Sequence, residues 1–289
     1  MDKTRASTAR PALGRCAGRI GTLAALIAGL ISGATAQAAD RPAPAAPASQ
    51  TAGLPAPAPG WEYQLSLYGW ATSLVGDVGV RNLPTSSIDV PFSEVLNHLN
   101  GALMGSFFAQ NGEWILLADV VFAKLSDARD LGTFGGSRLD AEVTQTIATG
   151  AIGRMLPTGR SDLDIAITGG VRYMSVKGAL SFDPFALPVD IAGSQREWWI
   201  DPTVGVFAHW ELNQKWYVNA IADIGGFGVG SRLSSTGYLG VGYMWTDSFS
   251  TSLGYRYLYE DYVGERTGSG SFRYNTTMHG PTVAAAWRF

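Results

Sequence analysis

From Trp61 onward, apolar and polar residues alternate with a period of two. Trp61, Tyr63, Leu65, Leu67 and Ala71 fall on one parity, opposite Glu62, Gln64 and Ser66. Leu163, Ile165, Ile167, Val171 and Tyr173 oppose Asp162, Asp164, Thr168 and Arg172. Trp198, Ile200, Pro202, Val204, Val206, Ala208 and Trp210 oppose Asp201, Thr203, His209 and Glu211. Phe249, Leu253, Tyr255, Tyr257 and Tyr259 oppose Ser250, Ser252, Arg256 and Glu260. Side chains alternate across a strand, so each segment has one apolar and one polar face.

The pattern predicts ten strands, near 61–71, 101–110, 113–125, 138–155, 162–176, 197–210, 215–227, 236–246, 249–262 and 272–289. Each is long enough to cross a bilayer, for which ~9–11 residues suffice. Alternate connections are short: Asn111-Gly112, 157–161, 212–214 and Asp247-Ser248. Asn-Gly is a strong hairpin signal because both residues accept positive φ. The intervening connections 72–100, 126–137 and 177–196 are longer. Short turns on one side and long loops on the other distinguish a membrane barrel from a soluble sandwich. Within 74–90, Val78, Val80, Ile88 and Val90 predict that the first strand continues past the membrane and returns. Phe92 to Leu99 then reads as a short helix at the barrel mouth. Ten wall strands fit the turns best, and eight or twelve remain open because bacterial barrels are even-numbered.

Tryptophan placement agrees. Trp61, Trp114, Trp210, Trp216, Trp245 and Trp287 stand at strand ends beside short turns or chain ends. Amphipathic rings favour the membrane–water interface, so these predict an aromatic girdle on the periplasmic side. The chain ends Val283-Ala284-Ala285-Ala286-Trp287-Arg288-Phe289, with apolar residues on the parity of Phe289. Phe272, Tyr274 and Met278 take the other parity, and Gly280-Pro281 lies between the two sets, which predicts a bulge there.

Upstream of the strands, Met1 to Arg19 carries five bases and one acid, followed by an apolar stretch to about Ile31 and Ala36-Gln37-Ala38. This is the layout of a cleaved secretory signal peptide over 1–38. Residues 39–60 are rich in Pro and Ala and read as an extended linker. Residues 61–289 form the predicted barrel domain. Cleavage removes the single cysteine, Cys16, and lowers the formal charge from -3 to -7. The mild charge argues against nucleic acid as a partner. Gly is 36 of 289 residues and charged residues are only 16%, against ~25% in soluble domains. After the N-terminus no run approaches the ~18 apolar residues of a membrane helix.

Chemistry is sparse. The stretch Gly225-Gly226-Phe227-Gly228-Val229-Gly230 lacks the following helix that a phosphate-binding loop needs. His98, His209 and His279 are scattered and show no nucleophile or metal spacing. No catalytic residue, metal or cofactor is expected, and the chain reads as a non-enzyme. The informative feature is the polar face. Asp119, Asp140, Glu142, Asp162, Asp164, Asp201, Asp223, Glu211 and Glu260 are predicted to face Arg154, Arg172 and Arg256 inside the lumen. So many acids must be paired or wet. Arg256 is expected to pair with Asp223 and Glu260. The interior reads either as a salt-bridged prop or as an acidic, cation-preferring pore.

The terminal Phe289 with its alternating apolar residues resembles the sorting signal of outer-membrane proteins. The strings Leu67-Tyr68-Gly69-Trp70, Gly225 to Ser231 and Gly254-Tyr255-Arg256-Tyr257 are similar to those of uncharacterised exported barrels. Across 61–289 the pattern resembles the small outer-membrane β-barrel superfamily of the OmpA, OmpW and opacity-protein type. That resemblance implies a closed, antiparallel, up-and-down transmembrane barrel, assembled by the barrel-assembly machinery. It would be monomeric and in contact with outer-membrane lipids, with both mature ends in the periplasm. The role it implies is structural, surface-interacting or that of a minor channel. A porin-like cation channel and, less so, a lipid-modifying enzyme are the alternatives.

Overall fold

The computed structural model describes residues 60–289 apart from 81–84, 132–136, 184–190 and 267–269. The signal peptide expected over 1–38, and all but the last residue of the linker expected over 39–60, lie outside the described residues. The elements are β1 Glu62–Trp70, β2 Ser73–Val80, β3 Ser86–Val90, α1 Phe92–Asn97, β4 Leu99–Gln110, β5 Trp114–Leu131 and β6 Ser137–Leu156. They continue with β7 Leu163–Asp183, β8 Ile191–Glu211, β9 Trp216–Gly225, β10 Leu233–Thr246, β11 Phe249–Arg266 and β12 Gly270–Arg288.

Neighbouring strands pair antiparallel from β4 to β12, and β1 pairs with both β4 and β12. The sheet therefore closes on itself as a ten-strand barrel and leaves no edge through its lower wall. β2 continues the line of β1 along β12, and β3 turns back against β2. The sequence thus anticipated both the returning hairpin and the short helix α1. Eight wall strands, β4 to β8 and β10 to β12, extend beyond their predicted ends on the long-loop side. In the sequence the outward parity of these extensions is mostly polar or small, so the alternation that revealed the strands fades there.

The β4–β5 turn differs in kind from what the sequence suggested. In the β4–β5 turn only Gly112 has positive φ, at 79°. Asn111 instead accepts, through Oδ1, the amides of Glu113 at 3.1 Å and Trp114 at 2.7 Å. Asn213 does the same for Lys215 and Trp216, each at 3.0 Å. Both asparagines thereby fix the first residue of the next strand, a girdle tryptophan.

The bulge expected at Gly280-Pro281 is absent. Trp70 opposes Thr282 and Ser73 opposes His279, so the register is the same on both sides of the break between β1 and β2. Pairing with β11 is also uninterrupted across this region. Phe272, Tyr274 and Met278 keep one parity with Thr282 and Ala286 because all of them point into the barrel. A side chain at Gly280 would collide with the carbonyl oxygen of Ala71, whose amide donates to Pro281 O at 2.9 Å.

Candidate functional site

The inside of the barrel has three zones, and the two-residue period sets which side chain enters each. On the long-loop half the interior is apolar. Trp70, Val121, Ile147, Met174, Trp199, Leu258, Phe272, Tyr274 and Met278 form one buried cluster contributed by seven of the wall strands. Trp199 of β8 stacks on Tyr262 of β11, with ring centroids 4.0 Å apart and planes within 7°. This contact spans the interior from β8 to β11, above β9 and β10, which end well below their neighbours.

Their connection is the glycine-rich stretch. Gly226, Phe227 and Gly228 all take positive φ, at 86°, 48° and 78°. The turn folds inward onto Asp201. Ser231 donates its amide to Asp201 Oδ1 at 2.6 Å and its hydroxyl to Oδ2 at 2.8 Å. Gly230 lies where a side chain would strike the Ile200 carbonyl. The glycines therefore serve a tight, carboxylate-anchored turn, and no helix follows them.

Beneath the apolar zone lies an ionic layer. Arg172 is 1% exposed. It donates from Nη2 to both oxygens of Asp223 at 2.7 Å and from Nη1 to Ser234, and its Nη1 lies 4.0 Å from Glu260 Oε1. Glu260 is fully buried, and neither of its carboxylate oxygens accepts a hydrogen bond among the described residues. Arg256 reaches across the lumen, donating to Tyr68 Oη at 2.7 Å and to Asp119 Oδ1 at 2.8 Å. Tyr68 in turn donates to Asp119 Oδ2 at 2.7 Å. The Arg256 guanidinium also lies 5.0 Å from the Trp70 ring centroid, in cation–π contact.

The partners expected for Arg256 are therefore those of Arg172. Arg172 takes Asp223 and Glu260, whereas Arg256 spans the barrel to β1 and β5. Reasoning from adjacent strands missed this because a long arginine inside a barrel meets residues across the lumen. Nothing in the spacing of Tyr68, Asp119 and Arg256 marks them as neighbours.

On the short-turn half, a cavity of about 590 Å³ extends from this layer down to Glu62, Gln110, Arg288 and Phe289 at the rim. Asp164 faces it opposite His209. His209 Nδ1 lies 2.6 Å from Asn219 Oδ1, and Nε2 is 4.0 Å from Glu211. Phe108 of β4 and Phe207 of β8 stack across the interior with ring centroids 5.1 Å apart and narrow the cavity.

Of the predicted lumen residues, Asp119, Asp164, Arg172, Asp201, Asp223, Arg256 and Glu260 face inward. Asp140 and Glu142 do not. Register puts them on the outer face of β6, where Glu142 meets Lys124 at 2.9 Å. Their odd-numbered neighbours Gln145 and Ile147 face inward instead, and Gln145 donates to the Tyr274 hydroxyl. Arg154 is also outside, paired with Glu113 and lying over the Trp114 ring. Asp162 sits in the β6–β7 turn, held by Arg160 at 2.6 Å and by the Trp210 indole at 3.2 Å. Hydrogen bonding to Arg160 holds the Asp162 carboxyl well below the usual carboxylate range.

The six girdle tryptophans Trp61, Trp114, Trp210, Trp216, Trp245 and Trp287 all stand outward and exposed at the short-turn end. Trp198 is the outward tryptophan at the other end. His98 lies 3.5 Å from Asp127 at the mouth, and His279 accepts or donates a hydrogen bond with Tyr255 on the outer wall. The three histidines do not converge.

Comparison with solved structures finds several barrels. Ail, the attachment invasion locus protein of Yersinia pestis, aligns at 8% identity over 80% of this chain and 99% of that one, with a TM-score of 0.31. Neisserial surface protein A aligns at 12% identity over 80% and 99%, with a TM-score of 0.30. A major outer membrane protein from Thermus thermophilus aligns at 13% identity over 78% and 99%, with a TM-score of 0.32. Likeness at this level carries no argument about the role of the chain. No family model and no curated protein matches it.

Proposed function

We propose that this protein is an integral outer-membrane barrel whose lumen is shut, serving as a membrane-fixed scaffold for surface interaction rather than as an open pore or an enzyme. One observation carries the reading: the lumen is filled by the stacked zones of Arg172–Asp223–Glu260, Arg256–Asp119–Tyr68 and the apolar cluster around Trp199. An outer wall of apolar side chains bounded by tryptophans supports the membrane setting. The short-turn rim and both ends of the barrel domain face the periplasm in this reading. The leader is cleaved, the terminal Phe289 engages the assembly machinery, and the folded protein is a monomer that needs no cofactor.

The cation-channel alternative draws on the acids of the lower cavity, but conduction requires the apolar zone to move. Planar-bilayer recording tests the choice. Reconstituted protein should show no unitary current steps, while the pair Trp199→Ala and Tyr262→Ala, which thins the closure, should admit small ones. Regular cation-selective steps from the unaltered protein would sink the shut-lumen reading.

A further inference from the structure

Across four adjacent wall strands, three bases fall in one row on the outer surface. Lys124 of β5 opposes Thr144 of β6, Thr144 opposes Lys177 of β7, and Lys177 opposes Arg196 of β8. Successive strands are ~4.8 Å apart, so the row is about 15 Å long. One step lower on the same face, Phe122, Thr146, Ser175 and Trp198 form the next row. Phe122 and Trp198 are both exposed there. The bases therefore stand at the upper edge of the apolar wall, where an aromatic anchor marks the membrane surface.

The arrangement is costly without a partner. Lys177 and Arg196 are exposed like charges directly opposite each other, which destabilises a strand pair. The acids on this face do not resolve it. Glu142 is engaged by Lys124 at 2.9 Å, and Asp140 lies two residues further along β6, away from the row. Glu197 is buried on the opposite face. Arg196 is also pre-oriented. Its Nε donates to Ser175 Oγ at 2.9 Å and its Nη2 to the Tyr173 hydroxyl at 3.0 Å, and among the described residues its other N–H groups have no partner. A fixed guanidinium fork beside an ammonium suits a phosphate group, and an anion between them would convert repulsion into two charge-assisted contacts.

We infer that the Lys177–Arg196 pair, flanked by Lys124, binds the phosphorylated headgroup of a lipid in the leaflet at the long-loop side. The inference rests on the membrane reading above and adds a ligand to the outer wall, separate from the lumen. Because the row is anchored to rigid strands at a fixed depth, the phosphate is held at the level where Trp198 sits.

The test uses the purified full barrel in detergent, with bisphosphorylated lipid A and the same lipid after enzymatic dephosphorylation as probes. The protein should bind the phosphorylated form about tenfold more tightly or better. The double variant Lys177→Gln with Arg196→Gln should bring the two forms to near-equal affinity. Lys215→Gln, at the opposite rim, should leave the preference intact. Equal affinity for both lipids in the unaltered protein, or an undiminished preference in the double variant, overturns the inference. Membrane fractionation and heat-modifiable migration are recorded on the same preparations. A chain that fails to reside in the membrane overturns the membrane reading and this inference with it. A resident barrel indifferent to phosphate overturns only the lipid site.

Discussion

Arg172 is the residue on which the ionic layer turns. It is almost fully buried and answers two carboxylates, Asp223 and Glu260. Removing one side of a buried pair leaves an uncompensated charge and costs ~3–5 kcal/mol. Arg172→Ala should therefore lower the thermal transition of the folded barrel in detergent by more than Arg256→Ala does. The partners of Arg256 are Asp119, which borders the wet cavity, and the neutral Tyr68. Equal, negligible shifts for both would show that the layer is simply solvated. Glu260→Gln keeps the shape and removes the poorly answered charge, so it should be neutral or stabilising in the same assay. At the exposed turn, Asp162 gains stability from Arg160 only while ionised. Its folded pKa lies below the unfolded value near ~3.9, so the contribution is complete above that value and fades as pH falls through the folded one. The melting difference between wild type and Asp162→Asn should thus be present at neutral pH and close in strong acid.

At the scale of the element, β8 offers the cleanest contrast. Val204 is outward and lies midway between Trp210 and Trp198, while its neighbour Thr203 is buried and faces the lumen. Val204→Arg should destabilise insertion by ~2–4 kcal/mol, the midplane cost of a basic residue. Thr203→Arg opens onto the cavity and should be tolerated better. Equivalent losses at both positions, measured by folding titration into vesicles, would contradict the face assignment. β12 makes a second prediction. Deleting Phe289, whose amide and carbonyl pair with Tyr63 of β1 at 3.0 and 3.1 Å, should weaken closure and reduce the heat-modifiable membrane fraction.

The strands themselves were legible because the outward parity is largely apolar through the middle of the wall and therefore alternates against the polar residues inside. The interior was only half legible. Polarity marked Arg172, Asp201 and Glu260 correctly, but Met174, Trp199, Leu258, Tyr274 and Met278 share their parity, and an apolar inward residue breaks the alternation. In β12 that break reads as a bulge, although it records a filled lumen. In β6 the same effect inverted the faces. Ile147 on the inward parity and Glu142 on the outward one look reversed to a reader who assumes a wet interior. A signal was available in the concentration of such exceptions at one end of the strands, where Phe272, Met278, Met174 and Trp199 all fall.

For the whole molecule, the outward residues of β8 from Trp210 to Trp198 span about 30 Å along the barrel axis at ~3.3 Å per residue and ~40° tilt. That matches a hydrocarbon core of ~30 Å. Three features lie toward the long-loop side: the upper tryptophan, the row of bases, and the inward-folded β9–β10 turn with exposed Phe227 and Val229. The barrel is asymmetric, with a partly polar cavity toward the short turns and an apolar, aromatic cluster toward the long loops. The most direct test is spin-label accessibility along β8 in lipid vesicles, one label at a time at positions 199 to 207. The account predicts that labels at 200, 204 and 206 collide with oxygen and are shielded from a water-soluble nickel chelate, most strongly at 204, while a label at 201 is shielded from both. Free access of the nickel chelate to 204 and 206 would place that wall in water and contradict a membrane-spanning barrel.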